Sequence, residues 1–333
     1  MTDSGTTLID GFGRTIDYVR LSVTDRCDFR CTYCMAEDMT FLPRSDVLSL
    51  EEITRVARVF VGLGVRKLRV TGGEPLIRRG IETLLDNLGR LEALRELALT
   101  TNGSQLDSKA AGLKSAGVTS LNISLDTLDE QKFTAITRTG RLSQVLKGID
   151  AAVAVGFERI RLNAVILAGQ NDDEVLDLTD FAQARGIDIA FIEEMPLGQV
   201  NAAGKPLEFV ASDVILGQLQ GKFRLQPTHS PAQSGPARYW QIDGSNTRVG
   251  LISPHSNNFC HNCNRLRVTA EGRLLLCLGN EHSISLRDSL RAGASDYELA
   301  TQIRTALSRK PERHVFDQPD EPQILRFMNA SGG

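Results

Sequence analysis

Apolar positions fall into two rhythms along most of this chain. Short runs rich in branched residues, at 18–23 (YVRLSV), 67–71 (KLRVT), 97–101 (LALTT), 120–124 (SLNIS), 159–166 (RIRLNAVI) and 187–193 (IDIAFIE), have the composition of strands. The segments near 50–63, 78–92, 107–116, 129–155 and 172–186 carry the spacing of amphipathic helices, and Ser49 with Glu52 forms a capping box at the start of the first. Alternation of strand and helix predicts a parallel sheet with helical crossovers. Six such strands are too few for an eight-fold barrel, so the expected fold class is α/β, a partial (β/α)6 TIM-like barrel. Unusual residues collect where the strands end: Gly72-Gly73-Glu74-Pro75, Thr101-Asn102-Gly103 and Ser124-Leu125-Asp126. In parallel α/β folds that edge is where sites are built.

Past about residue 200 the alternation fades. The stretches 201–206 and 227–236 read as connections, and short strands are expected at 248–252, 266–269 and 273–276, the last two joined as a hairpin around Ala270-Glu271-Gly272. A helix is expected over about 296–309. Residues 1–17, with Gly5, Gly11 and Gly13, read as a mobile lead-in, and Ser331-Gly332-Gly333 as a floppy end. The resulting division is a lead-in over 1–10, a core over 11–225 and a C-terminal α+β extension over 226–333.

Composition fits a soluble globular protein, with 41% hydrophobic and 24% charged residues. A net charge of -3 excludes general affinity for nucleic acid, so any anion must be met by local basic clusters. There is no apolar run of membrane-spanning length and no signal-peptide pattern at the start, which points to a cytoplasmic, reducing compartment.

The six cysteines change the picture most. Cys27, Cys31 and Cys34 are spaced C-x3-C-x2-C on the loop leaving the first strand; Cys260, Cys263 and Cys277 form a second triplet. Disulfides are disfavoured by compartment and by two odd-numbered groups. Three thiolates on a four-iron cluster leave one iron open for another ligand. For the downstream triplet, a structural zinc completed by His261 is a rival reading.

The Cys27–Cys34 motif, with Tyr33 before its last cysteine, and the Thr71-Gly72-Gly73-Glu74-Pro75 run resemble the signatures of radical S-adenosylmethionine (SAM) enzymes. With the second triplet and the terminal Gly332-Gly333, the chain resembles over nearly its whole length the branch that cyclises GTP for molybdenum-cofactor biosynthesis. That resemblance implies two [4Fe-4S] clusters, held by Cys27, Cys31 and Cys34 and by Cys260, Cys263 and Cys277. It implies SAM contacts at Tyr33, Gly73, Ser124 and Met195, and GTP contacts at Arg20, Arg69, Thr100, Arg161, Arg265, Leu266 and Arg267. The catalytic set would comprise the first cysteine triplet, Arg265, Arg267, Gly332 and Gly333. The implied reaction begins with a 5′-deoxyadenosyl radical taking the 3′-hydrogen of GTP, and ends in (8S)-3′,8-cyclo-7,8-dihydroguanosine 5′-triphosphate. A flavodoxin- or ferredoxin-like electron donor and delivery of product to MoaC are implied as well, and a homodimer stays open.

Three positions depart from that pattern. Arg161 replaces a lysine, exchanging a point charge for a planar fork. Ala190 stands where many relatives place an arginine, and the tail ends Ala330-Ser331-Gly332-Gly333 without an aliphatic residue before the glycines. The alternatives carried forward are another two-cluster radical SAM enzyme or diverged paralogue, and a non-enzymatic iron–sulfur or zinc sensor. The glycine loop and barrel pattern argue against the sensor, which needs neither. The glycine tail is small enough to thread into a narrow cavity.

Overall fold

The structure is a computed structural model that describes residues 7–197, 209–228, 235–314, 316 and 326–332. The first strands, β1 (Leu8–Ile9) and β2 (Thr15–Ile16), form a small antiparallel hairpin. This corrects the lead-in reading of residues 7–17: Leu8 and Ile16 are buried in the main core. Six strands then follow in chain order: β3 (Tyr18–Ser22), β4 (Lys67–Thr71), β5 (Glu96–Thr101), β6 (Ser120–Ser124), β7 (Arg159–Ile166) and β8 (Asp188–Glu193). They pair as consecutive parallel neighbours.

The crossovers carry α1 (Leu50–Gly62), α2 (Ile81–Gly89), α3 (Leu106–Ser115), α4 (Glu130–Thr137), α5 (Leu142–Val155) and α6 (Val175–Ala184). Ser49 accepts from Glu52 N–H and Glu52 reaches back to Ser49 N–H, closing the capping box at α1. The single helix expected over 129–155 is two, because the chain turns between them at Arg138, with φ of 62°, and at Gly140. The break has a use. The last carbonyls of α4 lose their helical partners and accept from the cysteine loop instead, Ile136 from Thr32 N–H and Thr137 from Arg30 N–H, each at 2.9 Å.

After α7 (Ser212–Lys222) come β9 (Leu225–Thr228), β10 (Arg238–Ile242), β11 (Arg248–Ile252), β12 (Arg265–Val268), β13 (Arg273–Leu275) and β14 (Ser283–Ser285). These flank the six-strand core, giving one 12-stranded sheet of order β14-β13-β12-β3-β4-β5-β6-β7-β8-β11-β10-β9. β12 joins β3 and β11 joins β8, both in parallel, and the sheet stays open, as the partial-barrel expectation requires. The helices α8 (Leu286–Arg291), α9 (Asp296–Leu307) and α10 (Met328–Ser331) complete the chain. The 227–236 connection is corrected at its start: Pro227 and Thr228 lie in β9, an edge strand where a missing N–H is tolerated. The connection expected at 201–206 lies outside the described residues. Among the described residues no helix is long and apolar enough to cross a membrane.

Candidate active site

One cavity runs between the two cysteine triplets and takes wall residues from all six core strands. Strand register builds its basic side. Across adjacent parallel strands Arg267 lies level with Arg20, and Arg20 with Arg69. Two residues earlier on the same face, Arg265, Tyr18 and Lys67 form a second rung. Neighbouring parallel strands are about 4.8 Å apart, so this stacks like charges on one face. Burial lowers Arg20 to about 10, helped by repulsion from Arg69, Arg265 and Arg161, and Arg267 is depressed for the same first reason. Burial alone would raise the phenol of Tyr18, but Arg69, Arg20, Lys67 and Arg265 bring it down to about 7. Arg69 donates to Thr100 Oγ1 at 3.3 Å, while its buried Nε has no partner among the described residues. A wall so charged is built for a polyanion.

Arg161 lies in the same wall, buried, donating to Asn163 Oδ1 at 3.0 Å and to the Tyr239 hydroxyl. Room for the Tyr239 ring comes from small neighbours. A Cβ on Gly250 would sit 3.0 Å from Tyr239 Cε1 and 3.3 Å from the Cβ atoms of Ala190 and Ala237. The alanine at 190 thus belongs to a packed niche that seats the partner of Arg161.

The first triplet sits at the opposite wall. Backbone bonds from Gly73 N–H to Thr24 O (2.7 Å) and from Glu74 N–H to Arg26 O (2.8 Å) draw the glycine loop against the start of the cysteine loop. The approach admits no side chain, since a Cβ on Gly73 would lie 2.2 Å from Arg26 O. Buried Glu74 accepts from Leu76 N–H, the Thr101 hydroxyl and Asn102 N–H. Burial pushes its carboxyl up to about 8. Asn102 in turn donates to Asp28 Oδ1 at 2.7 Å, and Ser104 to Asp28 Oδ2 at 2.6 Å. Tyr33 donates to Asp126 Oδ2 at 2.8 Å, and burial lifts Asp126 to about 6.

The thiols bear on which group fits here. Burial raises Cys27, with Glu74 and Asp28 adding to it, raises Cys31, and pushes Cys34 up to about 12. Three thiolates buried beside carboxylates need a cationic metal core, and such a core at this loop answers that need. In the second triplet, burial raises Cys260 and Cys277. Cys263 is also pushed up by burial, but Arg265 and Lys310 prevail and bring it to about 7. His261 is exposed and stands outside the cavity lining, so it does not complete a zinc site with the second triplet. Among the described residues no three His, Cys, Asp or Glu side chains gather as a single-ion site.

The cavity lining contains all six cysteines, Tyr33, Gly73, Ser124, Met195, Arg20, Arg69, Thr100, Arg161, Arg265 and Arg267. Two expected contacts do not line it. Leu266 turns into the hydrophobic core between its arginine neighbours. Gly332 instead holds a lining residue: Arg267 donates to its carbonyl and, at 3.4 Å, to that of Ser331. The tail is not floppy where it is described. Ser331 is buried, Asn329 donates to Asp25 O at 3.0 Å, and Met328 N–H to Cys34 O at 3.2 Å. Gly333 lies outside the described residues. Sequence reasoning missed Tyr18, Asn163, Lys310 and His314 in the lining. Of these Tyr18 and Asn163 had a signal, since alternation puts them on the faces of Arg20 and Arg161.

Fold and site together define a radical SAM protein. A profile of the Radical SAM superfamily matches residues 21–182, and one described as Molybdenum Cofactor Synthesis C matches 187–316. The fold is similar to that of Streptococcus suis SuiB bound to S-adenosylmethionine, with a TM-score of 0.63 at 18% identity over 95% of this chain and 78% of that one. The chain is 55% identical to "GTP 3′,8-cyclase 2" of Pseudomonas aeruginosa, covering 100% of each. It is also 55% identical to a Saccharophagus degradans GTP 3′,8-cyclase over 98% of this chain and 99% of the relative, and 56% to one from Pseudomonas putida over 100% of each. The chain belongs to the GTP 3′,8-cyclase family. Dependence on SAM and on an iron–sulfur cluster comes with that membership.

Proposed function

We propose that this protein cyclises GTP to (8S)-3′,8-cyclo-7,8-dihydroguanosine 5′-triphosphate in molybdopterin precursor synthesis. The observation that carries this reading is the cationic ladder of Arg267, Arg20 and Arg69 in one cavity with both cysteine triplets. SAM and a cluster held at this site would supply the 5′-deoxyadenosyl radical needed to abstract the 3′-hydrogen of GTP. The chain's own residues bind, orient and exclude. Arg20, Arg69 and Arg161 meet the triphosphate, with Thr100 fixing Arg69. Tyr33, Gly73, Ser124 and Met195 hold SAM against Cys27, Cys31 and Cys34. Arg265 and Arg267 orient the base near Cys260, Cys263 and Cys277, which hold a second [4Fe-4S] cluster; Leu266 contributes through its backbone. Gly332 orders the ladder by way of Arg267, and Gly333 stays in the catalytic set on the resemblance alone. Water exclusion by the packed walls protects the radical.

The same reading takes two electrons from a flavodoxin- or ferredoxin-like donor, one to cleave SAM and one, with a proton, to complete the cyclised nucleotide, hands product to MoaC, and places the protein in the cytoplasm. It keeps a core over 11–225 and a second-cluster region over 226–333, and a homodimer is consistent with it. The test is anaerobic incubation with SAM, reductant and GTP. We expect 5′-deoxyadenosine only when GTP is present, with a cyclised nucleotide beside it. SAM cleavage indifferent to GTP would favour a paralogue acting on another substrate.

A further inference from the structure

Lys310, just past α9, carries a buried ammonium, 2% exposed. Its Nζ donates to Cys263 Sγ at 3.6 Å, to Arg265 O at 3.1 Å and to Leu276 O at 2.5 Å. Those three bonds match the donor capacity of an ammonium group. None of the acceptors is a carboxylate, and among the described residues Lys310 forms no ion pair. A buried ammonium without a counter-anion is strongly unfavourable. The nearby Arg265, whose guanidinium lies over the Phe259 ring at 5.3 Å, adds charge of the same sign.

Arg14 supplies the contrast. It comes from the β1–β2 hairpin and reaches the same site, donating to Cys260 O at 2.8 Å, Glu312 O at 2.7 Å and Pro311 O at 2.7 Å. Its charge is answered locally by Asp10 at 2.6 Å. Arg14 therefore braces Cys260 and the segment after Lys310 with its charge paired to Asp10. Lys310 ties together the strands that present Cys263 and Cys277 and keeps its charge for the thiolates.

We propose that Lys310 is the counter-cation of the second cysteine site, a positioning residue that holds an anionic thiolate-bound metal centre and raises its reduction potential. The proposal rests on the reading that Cys260, Cys263 and Cys277 share one cluster.

The experiment uses the full chain with Cys27, Cys31 and Cys34 replaced by alanine, so that the second site is read alone. Lys310→Gln, Lys310→Arg and Arg14→Gln are added singly. After anaerobic reconstitution, iron is counted and the midpoint potential is followed by electron paramagnetic resonance during a redox titration, with circular dichroism to check folding. The parent should hold about four irons, as one cubane does. Lys310→Gln should shift the midpoint to more negative values, Lys310→Arg should restore it, and Arg14→Gln should lower iron occupancy and shift the midpoint less than Lys310→Gln does. A Lys310→Gln cluster with unchanged midpoint overturns the proposal while leaving the two-cluster reading intact. A parent that binds no iron overturns both. If Lys310→Gln loses the cluster altogether, retention in Lys310→Arg with the parent's midpoint supports the proposal, and loss there overturns it.

Discussion

Gly332→Ala tests whether the seated tail matters to the site. Gly332 has φ of +79°, and a Cβ there would lie 2.5 Å from the methyl of Thr71 and 3.4 Å from Ser22 Cβ. The left-handed conformation costs a non-glycine residue about 1–2 kcal/mol. Forcing a methyl against Thr71, which is itself buried, adds roughly 1–3 kcal/mol by the usual cost of overpacking. The sum, about 2–5 kcal/mol, lowers the ratio of seated to released tail by roughly 30-fold to a few thousand-fold, at 1.4 kcal/mol per tenfold. What is lost with the tail is the pair of carbonyls that hold Arg267. The variant should keep its iron content and thermal midpoint, because the strain is relieved by release of a terminus and not by unfolding of the sheet. Its GTP-dependent 5′-deoxyadenosine formation should fall, by at most that factor. Limited proteolysis should trim the tail of the variant faster than that of the parent. Normal turnover together with faster trimming would refute the idea that the tail orders the ladder.

Three further outcomes follow from the geometry. One tyrosine should titrate near pH 7 by absorbance at 295 nm and vanish in Tyr18→Phe, and GTP should reverse that ionisation by neutralising the surrounding arginines. Since the folded value is depressed below the ordinary 10, this group adds stability as pH rises from about 7 towards 10 and adds none below 7, which comparative denaturation of Tyr18→Phe would check. Tyr239→Phe frees the Arg161 guanidinium at a cost of about 1 kcal/mol, so KM for GTP should rise about fivefold with kcat little changed in steady-state assays. Replacing Cys260, Cys263 and Cys277 by alanine should lower iron from about eight to about four per chain while SAM binding persists by equilibrium dialysis, since each cubane holds four irons.

The core of the fold was legible because its strands are buried on both faces and its helices on one. The runs at 67–71, 120–124 and 159–166 match the observed strands residue for residue. What escaped detection was held by partners distant in sequence. β1 and β2 are two residues each and have no periodicity to read; their place depends on Leu8 and Ile16 meeting the core and on Arg14 reaching Cys260. The expected helix over 129–155 gave no local stop signal strong enough at Arg138, since its end is fixed by the cysteine loop docking on the free carbonyls of α4. For the site, cysteine spacing and glycine-loop chemistry are local and were readable. Arg20 and Arg69 followed from the family resemblance, since alternation alone allowed them to face solvent, and their level register with Arg267 needed β12 to be placed beside β3. Lys310 lies in no motif, and only the fold brings it to Cys263.

The most direct measurement of the central claim uses GTP carrying deuterium at the ribose 3′ position, incubated anaerobically with SAM and reductant. Mass spectrometry should find one deuterium in each 5′-deoxyadenosine and none at the 3′ carbon of the cyclised nucleotide. Unlabelled 5′-deoxyadenosine beside recovered, still-labelled GTP would contradict 3′-hydrogen abstraction and with it the cyclase reading.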